Sequence, residues 1–524
     1  MLFIRLSYMS LPKNQLKLGI VLNYINMGLG NLIPIFYTPI MLSILGQNEY
    51  GLYKLSSSVI SYLGLMSLGI GSAVTRYLIK AKTEEGQEAE ERMMGLFLVI
   101  YRIVAVLVFI VGVVLVLNLN IWYEDSLTET ELDRMKILVF IMVCNMALSF
   151  SVSPYMSIVT AREKFIFFQC MSILNTCVVP VINLIVLYLG YASIGLAMTS
   201  LVISVVMRVV YYIYVKHSLN IHPRYKELPV YCLKEILIFS FWIFIANLVS
   251  QLYNVTDTLM IGAIPALATV GVAVYNIGTT LHGIMFSLSL GASSLLMPKT
   301  NKLVFEGTDN NALTDYAILV GRLQGYIVSF IICAFIVFGM PFIHFYVGDG
   351  YLEAYWIMLF LAIPSVPTLV QSVCLNIVVA RNQHRFRSIV YFFIAVVNVV
   401  CTWLVLDQWG IKGAAFVTGV ATLMGHGFIM NWFYWKRSGL DMWRFWKQIL
   451  KVILVPMIVC VISVLLLKQV DLYNLWIFVV AAILFTIVVI LLQWNCTLND
   501  YEKGLFLVPL QKTRKLFVKN IHKR

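Results

Sequence analysis

Long apolar runs recur along the whole sequence, and their length limits what the chain can fold into. About 20 apolar residues suffice for an α-helix to cross the hydrocarbon core of a bilayer. Of the 524 residues, 60% are hydrophobic and 12% are charged, whereas soluble domains carry about 25% charged residues. A membrane β-barrel would need short alternating segments, which are absent. The sequence therefore predicts an all-α, polytopic membrane protein.

The apolar runs divide into about fourteen predicted transmembrane helices. Only the short turn LGQNEYG separates the first two. The predicted spans cover residues 18–45, 52–75, 95–117, 136–158, 166–189, 193–215, 237–261, 270–297, 317–339, 355–379, 388–406, 412–435, 449–467 and 475–493.

Basic residues are distributed unevenly between alternate loops. With a cytoplasmic N-terminus, the cytoplasmic segments hold 30 of the 38 Lys and Arg residues, and the outer segments hold five. Such a bias sets membrane orientation, so both termini are predicted to be cytoplasmic. Topology then explains most of the net charge of +13, and no nucleic-acid partner is expected. The N-terminus lacks a cleavable signal pattern, and the nine cysteines show no metal or redox spacing.

Short motifs recur in the same order, with nearly the same spacing between the members of each pair. The clearest pairs are SLGIGSA and SLGASS, TAREKF and VARNQHRF, and VKHS and WKRS. Spans one to six are therefore predicted to be duplicated in the same orientation as spans seven to twelve. This predicts two pseudo-symmetric six-helix lobes, an N-lobe at 1–217 and a C-lobe at 218–437. Two extra spans and a basic cytoplasmic tail follow at 438–524.

Polar residues share one face of several predicted spans. Placed at 100° per residue, Asn23 and Asn26 lie on one face of span one, and Asn247, Gln251 and Asn254 lie on one face of span seven. Unpaired polar groups are costly in hydrocarbon, so these faces meet protein or water. Hydrogen bonding between helices is one alternative. A hydrated, substrate-binding cavity is the other, which the occurrence of stripes on repeat-equivalent spans favours.

Two titratable residues inside spans are candidates for ion coupling. Asp257 lies near the outer end of span seven, and intramembrane carboxylates often mark ion or proton pathways. A structural role near the interface is the rival interpretation. His282 lies nearer the middle of span eight and could relay protons, or it could be a buried histidine with satisfied bonds. No cofactor is predicted, with H⁺ and Na⁺ as the alternatives for a coupling ion.

Three arginines lie inside or at the edge of spans: Arg102, Arg208 and Arg322. Arg102 and Arg322 are separated by the repeat spacing, and all three fall toward the predicted cytoplasmic side. Their side chains could extend toward lipid headgroups. Alternatively, they form a cationic lining that binds an anionic substrate headgroup, since the planar guanidinium makes bidentate bonds to phosphate.

Motifs for covalent catalysis or ATP hydrolysis are absent. The sequence contains no GxxxxGK[ST] phosphate loop, HExxH, GxSxG or paired-cysteine motif. We therefore expect a protein that is not an enzyme.

The segment SILGQNEYGLYKLSSSVISYLGLMSLGIGSAVTRYL resembles the start of bacterial polysaccharide flippases of the O-antigen type. These belong to the multidrug/oligosaccharidyl-lipid/polysaccharide exporter superfamily. The resemblance extends over nearly the whole chain through the arrangement of twelve plus two spans. Its most telling motifs are LGxxEYGLY and the following SLGxGxA.

The resemblance implies two lobes around a central cavity that alternates between inward-open and outward-open states. It implies transport of a polyprenyl-diphosphate-linked oligosaccharide to the outer leaflet of the bacterial inner membrane, for lipopolysaccharide or capsule synthesis. Expected partners are this lipid, the bilayer and the polysaccharide polymerase machinery. The alternatives are a cation-coupled multidrug exporter of the same superfamily, a membrane glycan polymerase or acyltransferase, and a non-transporting scaffold.

Overall fold

A computed structural model of the chain describes residues 12–294, 297–381 and 383–504. All regular elements in these ranges are helices. Apart from one short turn of helix at Asn120–Tyr123, the N-terminal helices are α1 (Pro12–Leu63), α2 (Ile70–Glu85), α3 (Gln87–Leu117), α4 (Glu129–Ala161), α5 (Phe165–Tyr188), α6 (Ala192–Ile213), α7 (Leu233–Asn254), α8 (Thr256–Ala263) and α9 (Ala268–Ser294). The expectation of an all-α, polytopic membrane protein is confirmed.

The remaining helices include both long apolar helices and short ones. They are α10 (Met297–Phe305), α11 (Asn310–Val347), α12 (Ala354–Ala362), α13 (Val366–Val370), α14 (Ser372–Ala380), α15 (His384–Thr422), α16 (Met430–Lys436), α17 (Met442–Leu466) and α18 (Leu475–Cys496).

Several helix breaks lie at glycine or proline. Gly46 and Gly410, with φ of 74° and 57°, kink α1 and α15, because glycine adopts positive φ without steric penalty. Gly46 lies in the predicted turn LGQNEYG. Predicted span ten is three short helices. Pro364 and Pro367 lie at its first break, where they remove backbone donors, and Gln371 lies at the second. Predicted span two is interrupted between Leu63 and Ile70.

Within the described residues, ten helical segments are long and apolar enough to cross a membrane. Two of them are double-length, at 69 and 51 residues, and contain the kinks at Gly46 and Gly410. Helix α9 and the broken segment α12–α14 are not among the ten, although spans eight and ten were predicted there. The count of fourteen spans remains a prediction.

The chain forms two compact units. Of the described residues, those up to Ile277 and those in Tyr391–Thr418 form the first unit, and those in Gly278–Val390 and from Gly419 onward form the second. In the first unit, α4 packs against α3 and α6, and α1 packs against α5. In the second, α11 packs against α17 and α18. The predicted lobe boundaries at 217 and 437 remain a prediction.

Left-handed backbone positions recur at the spacing of the sequence repeat. The pairs with positive φ are Gly86 and Gly307, Gly190 and Gly410, and Asn220 and Gly439. Such positions terminate helices and set the direction of the next element. Their recurrence supports the predicted duplication at the level of local backbone conformation.

Candidate functional site

A buried polar cluster surrounds Asp257 in the first unit. Helix α8 begins just after α7 ends and carries Asp257 in its first turn, where only 1% of the residue is exposed. Tyr275 on α9 donates a hydrogen bond to Oδ2 at 2.5 Å, and Thr418 on α15 donates to the same oxygen at 2.7 Å. Asp257 therefore lies in a closed, hydrogen-bonded environment, away from bulk water.

The Gly410 kink allows both arms of α15 to contribute to this Asp257 cluster. Asn398 and Thr402 precede the kink, and Thr418 follows it, with its hydroxyl 3.2 Å from Asn398 Oδ1. Asp257 Oδ1 and Asn398 Nδ2 are buried without a hydrogen-bond partner among the described residues. The Thr402 hydroxyl lies beside the carboxylate but makes no hydrogen bond of good geometry.

The bonding of the Asp257 cluster is therefore incomplete. An unpaired carboxylate oxygen in a buried site is costly. Either a proton on the carboxylate or a cation beside it would remove that cost. Carboxylate, amide and hydroxyl oxygens are the ligands that hard cations prefer. No group of three His, Cys, Asp or Glu side chains able to hold a metal occurs in the described ranges.

His282 lies on α9 in the second unit, whereas Asp257 belongs to the first. Its ring contacts Phe286 at a centroid distance of 5.8 Å, and its Nε2 is buried without a hydrogen-bond partner among the described residues. The interpretation of His282 as a buried histidine with satisfied bonds therefore does not hold for this nitrogen.

The polar stripe of span one is paired with a neighbouring helix. Asn26 donates to Ser172 at 2.9 Å and accepts from Thr176 at 2.9 Å. Elsewhere along the same two helices, Gln169 donates to Asn23 at 3.2 Å, and Asn183 donates to Tyr37 at 3.2 Å. We name this set the α1–α5 ladder. For Asn26, hydrogen bonding between helices is the observed arrangement, while Asn23 is also exposed.

The polar stripe of span seven is exposed instead. Asn247, Ser250 and Asn254 are exposed on α7, and the Asn254 amide donates only to Ser250, one turn earlier. Gln251 is half-buried, and its Oε1 has no hydrogen-bond partner among the described residues. Polar side chains that are exposed in this way are compatible with a water-filled surface and incompatible with hydrocarbon.

Arg322 is bonded to several protein groups. Its guanidinium donates to both carboxylate oxygens of Glu502 at 2.6 and 2.8 Å, to the Thr497 carbonyl at 2.6 Å and to the Tyr326 hydroxyl at 2.9 Å. Glu502 is completely buried. Burial raises the pKa of Glu502, but hydrogen bonds from Arg322 and the Asn499 backbone lower it more, so that its pKa lies below the ordinary value.

Arg102 and Arg208 are exposed, and neither lies on a polar stripe. The Arg102 guanidinium donates to the Tyr225 hydroxyl at 3.1 Å. The three predicted arginines thus differ in their surroundings. Arg322 is neutralised internally, and the other two have no carboxylate partner among the described residues.

Sequence reasoning missed Glu502, which lies after the last predicted span. Its signal is the sequence Asn-Asp-Tyr-Glu, since the Asn499 side chain accepts from the Glu502 backbone at 2.8 Å while the Glu502 carboxylate accepts from the Asn499 backbone at 3.0 Å. This is the reciprocal pattern of a capping box. It positions Glu502 to meet Arg322.

The sequence matches the polysaccharide biosynthesis protein family over residues 17–298, which is more than half of the chain. No curated protein gives a significant match. Among solved structures, the fold is similar to that of a lipid II flippase, MurJ, in an inward-closed conformation (16% identity, TM-score 0.72, covering 94% of this chain and 99% of that chain).

Two further solved structures share the fold. One is an inward-facing multidrug-resistance MATE transporter of the MOP superfamily (14% identity, TM-score 0.63, covering 80% of this chain and 95% of that one). The other is a mutant of the Vibrio cholerae MATE transporter VcmN (13% identity, TM-score 0.57, covering 82% and 99%). The predicted resemblance is confirmed: the chain belongs to the polysaccharide biosynthesis protein family and has the flippase and transporter fold of the MOP superfamily.

Proposed function

We propose that this protein flips a polyprenyl-diphosphate-linked oligosaccharide from the cytoplasmic to the outer leaflet of a bacterial inner membrane, by alternating access. The observation that carries the proposal is the exposed stripe of Asn247, Ser250 and Asn254 within a helix otherwise suited to a bilayer. Family membership supports polysaccharide synthesis as the context.

The physical problem of such a substrate lies in its headgroup. Transfer of a charged diphosphate or a sugar into hydrocarbon is strongly unfavourable, whereas the apolar prenyl tail is stable in hydrocarbon. Side-chain amides donate and accept hydrogen bonds, so Asn247, Gln251, Asn254 and the exposed Asn23 are assigned to the sugar and diphosphate groups. In this proposal Asn26 holds α1 to α5, and Arg322 holds the segment that ends at Glu502.

Asp257 is assigned to ion coupling. Its unpaired Oδ1 is buried beside Asn398 and Thr402, and binding of H⁺ or Na⁺ there would neutralise the carboxylate. Tyr275 and Thr418 hold the other oxygen from α9 and α15. A change of ionic state would therefore act on three helices at once. His282 is retained as a second candidate for proton transfer.

Reconstitution tests this function. Purified protein in liposomes with a lipid-diphosphate-linked oligosaccharide should produce protein-dependent exposure of the sugar to an external lectin or glycosidase. Asn247→Leu with Asn254→Leu should reduce that exposure at least about tenfold, since each lost hydrogen-bonding group costs about 1 kcal/mol or more. The matched control is Leu237→Ala with Phe241→Ala on exposed apolar positions of α7.

A cation-coupled exporter is the second candidate, because MATE transporters share the fold and Asp257 is a buried acid. The same liposomes loaded with a fluorescent organic cation distinguish the two. Cation efflux without any sugar exposure, for several glycans and with H⁺ or Na⁺ gradients, would replace the flippase proposal by the exporter.

A further inference from the structure

Arg102 and Arg208 interrupt faces of α3 and α6 that are otherwise apolar and exposed. On α3, the neighbouring exposed residues are Ile103, Val106, Ile110 and Val114. On α6, they are Val202, Val205, Val206 and Val209. An exposed apolar face of a membrane helix is suited to lipid chains. The two arginines therefore lie on the bilayer-facing surface of the first unit.

Both arginines lie at a similar depth. Leu117 is the last residue of α3, and Ala192 is the first residue of α6. The stretch from Arg102 to Leu117 and the stretch from Ala192 to Arg208 have nearly the same length. At the helical rise of about 1.5 Å per residue, these two intervals are about 22 to 24 Å long, against a hydrocarbon core of about 30 Å. The guanidinium groups can therefore reach the headgroup boundary at the end predicted to be cytoplasmic.

The surroundings of these arginines are basic and aromatic. Arg102 lies 5.2 Å from the centre of the Tyr225 ring, and Lys216 lies 5.8 Å from that of Tyr212. Tyr155 on α4, the helix that packs against both α3 and α6, lies near both Arg102 and Arg208. Among the described residues, none of the three basic groups forms an ion pair with a carboxylate.

Arg322, the repeat equivalent of Arg102, has a carboxylate counterion that Arg102 lacks among the described residues. Arg322 follows Arg102 by the repeat spacing, and its charge is neutralised by Glu502 within the protein. Arg102, Arg208 and Lys216 instead leave three positive charges on an exposed surface. An anion from outside the protein would neutralise these charges. Because the flanking faces are apolar, an anion that carries acyl chains fits this surface.

We propose that Arg102, Arg208 and Lys216 bind the phosphate of an anionic glycerophospholipid in the leaflet at this end of the first unit. The guanidinium groups hold phosphate oxygens by charge-assisted hydrogen bonds, and Tyr212 and Tyr225 suit the headgroup level. The acyl chains lie along the exposed valine and isoleucine faces of α3 and α6. This site does not depend on the transport proposal, because its test measures lipid binding.

Native mass spectrometry of the full-length protein in detergent provides the test. Phosphatidylglycerol should bind to the unmodified protein, and net-neutral phosphatidylcholine should bind much more weakly. Arg102→Gln with Arg208→Gln should weaken phosphatidylglycerol binding about thirtyfold. Lys80→Gln with Lys82→Gln removes the same charge from exposed positions on α2 and should leave binding unchanged.

Further arms separate the sources of phosphate. Sodium phosphate at millimolar concentration should not displace the lipid, and a polyprenyl diphosphate should not bind in preference to phosphatidylglycerol. Arg102→Lys with Arg208→Lys keeps the charge and removes the planar fork, so an intermediate loss of phosphatidylglycerol binding is expected. This variant provides the test if the glutamine variant fails to fold. The proposal is overturned by equal binding in the Gln and control variants, by equal binding of the two phospholipids, or by displacement with either competitor.

Discussion

Asp257 carries one oxygen that is bonded twice and one that has no partner among the described residues, and this asymmetry gives the residue a testable role. Asp257→Asn keeps the shape of the side chain and removes its charge. We expect the variant to fold and to lose the dependence of transport and of thermal stability on Na⁺ or on a proton gradient. The measurement is a melting temperature in detergent across Na⁺ concentration and pH, alongside the liposome assay.

The control for this prediction is Asp125→Asn, an exposed loop carboxylate, which should leave the ion response intact. If Asp257→Asn responds to ions as the unmodified protein does, the coupling role of this carboxylate is wrong.

In contrast to Asp257, Glu502 has a hydrogen-bond partner for each of its carboxylate oxygens. Glu502→Gln leaves the Arg322 charge buried without a counterion, which should lower the free energy of unfolding by about 3 kcal/mol. Thermal unfolding in detergent measures the loss. Glu306→Gln breaks only an exposed pair with Lys302 at 3.6 Å and should change stability by less than about 0.5 kcal/mol. Equal shifts for the two variants would contradict this prediction.

The same ion pair predicts a pH dependence. The pKa of Glu502 lies below its ordinary value, so the stabilisation is present above the unfolded pKa of about 4.3 and is lost as pH falls through the lower folded pKa. The stability difference between the unmodified protein and Glu502→Gln should therefore be constant at neutral pH and shrink under acidic conditions below about pH 4. A difference that grows on acidification would reverse the assigned sign.

Single residues differ in how far their surroundings could be read from the sequence. Asp257 was recognisable because an acid within an apolar run is rare. The partner of Arg322 was not, because it lies 180 residues away, outside the predicted spans. The repeat would have helped elsewhere: Arg162 bonds to Glu90, and at the equivalent positions Arg381 donates to Asn310 at 2.7 Å.

At the scale of helices, glycines decide how closely two elements approach. Gly51, in the motif LGQNEYG, faces the backbone of Thr269, and an added Cβ would overlap the Thr269 carbonyl. Gly51→Ala should therefore destabilise the first unit by about 2 kcal/mol or more. Gly28→Ala, where an added Cβ meets no atom, should be neutral or stabilising by up to about 1 kcal/mol. Melting temperatures of the two variants measure the contrast, and equal values would refute the close approach.

Helical periodicity predicts a face but not the helix that meets it. The stripes of spans one and seven were equivalent on the sequence, and a hydrated cavity was favoured for both. In the structure, the α1–α5 ladder occupies much of the first stripe, whereas the second remains exposed. The difference arises from Gln169, Ser172 and Thr176 on α5, which offer hydrogen-bonding groups at matching heights.

At the scale of the whole molecule, the bias of basic residues predicts the orientation in the membrane. Cys496, at the end of α18, is the exposed cysteine among the free cysteines of the described ranges. It should react with a membrane-impermeant maleimide in inside-out vesicles and not in intact spheroplasts. Asp471→Cys, between α17 and α18, should show the reverse once Cys496 is replaced by serine. Labelling of Cys496 from the outer face would invert the predicted topology.

The all-α class, the family and most helix positions followed from hydropathy and motifs, because the bilayer imposes length and polarity on every span. The division into compact units did not follow, since it depends on which helices pack together. Tyr391–Thr418 belongs with the N-terminal helices, although it lies far along the chain.

The Arg322–Glu502 pair also sets an order of events during synthesis. A ribosome adding about 5 to 20 residues per second needs about 10 to 40 s to travel from Arg322 to Glu502, a separation of 180 residues. Throughout that interval, a basic group that will end up buried has no counterion. Packing of α11 is therefore completed only when nearly the whole described chain has been made. A chain that ended before residue 502 would leave the Arg322 charge without its counterion. Membrane quality control could recognise the chain by this unpaired charge.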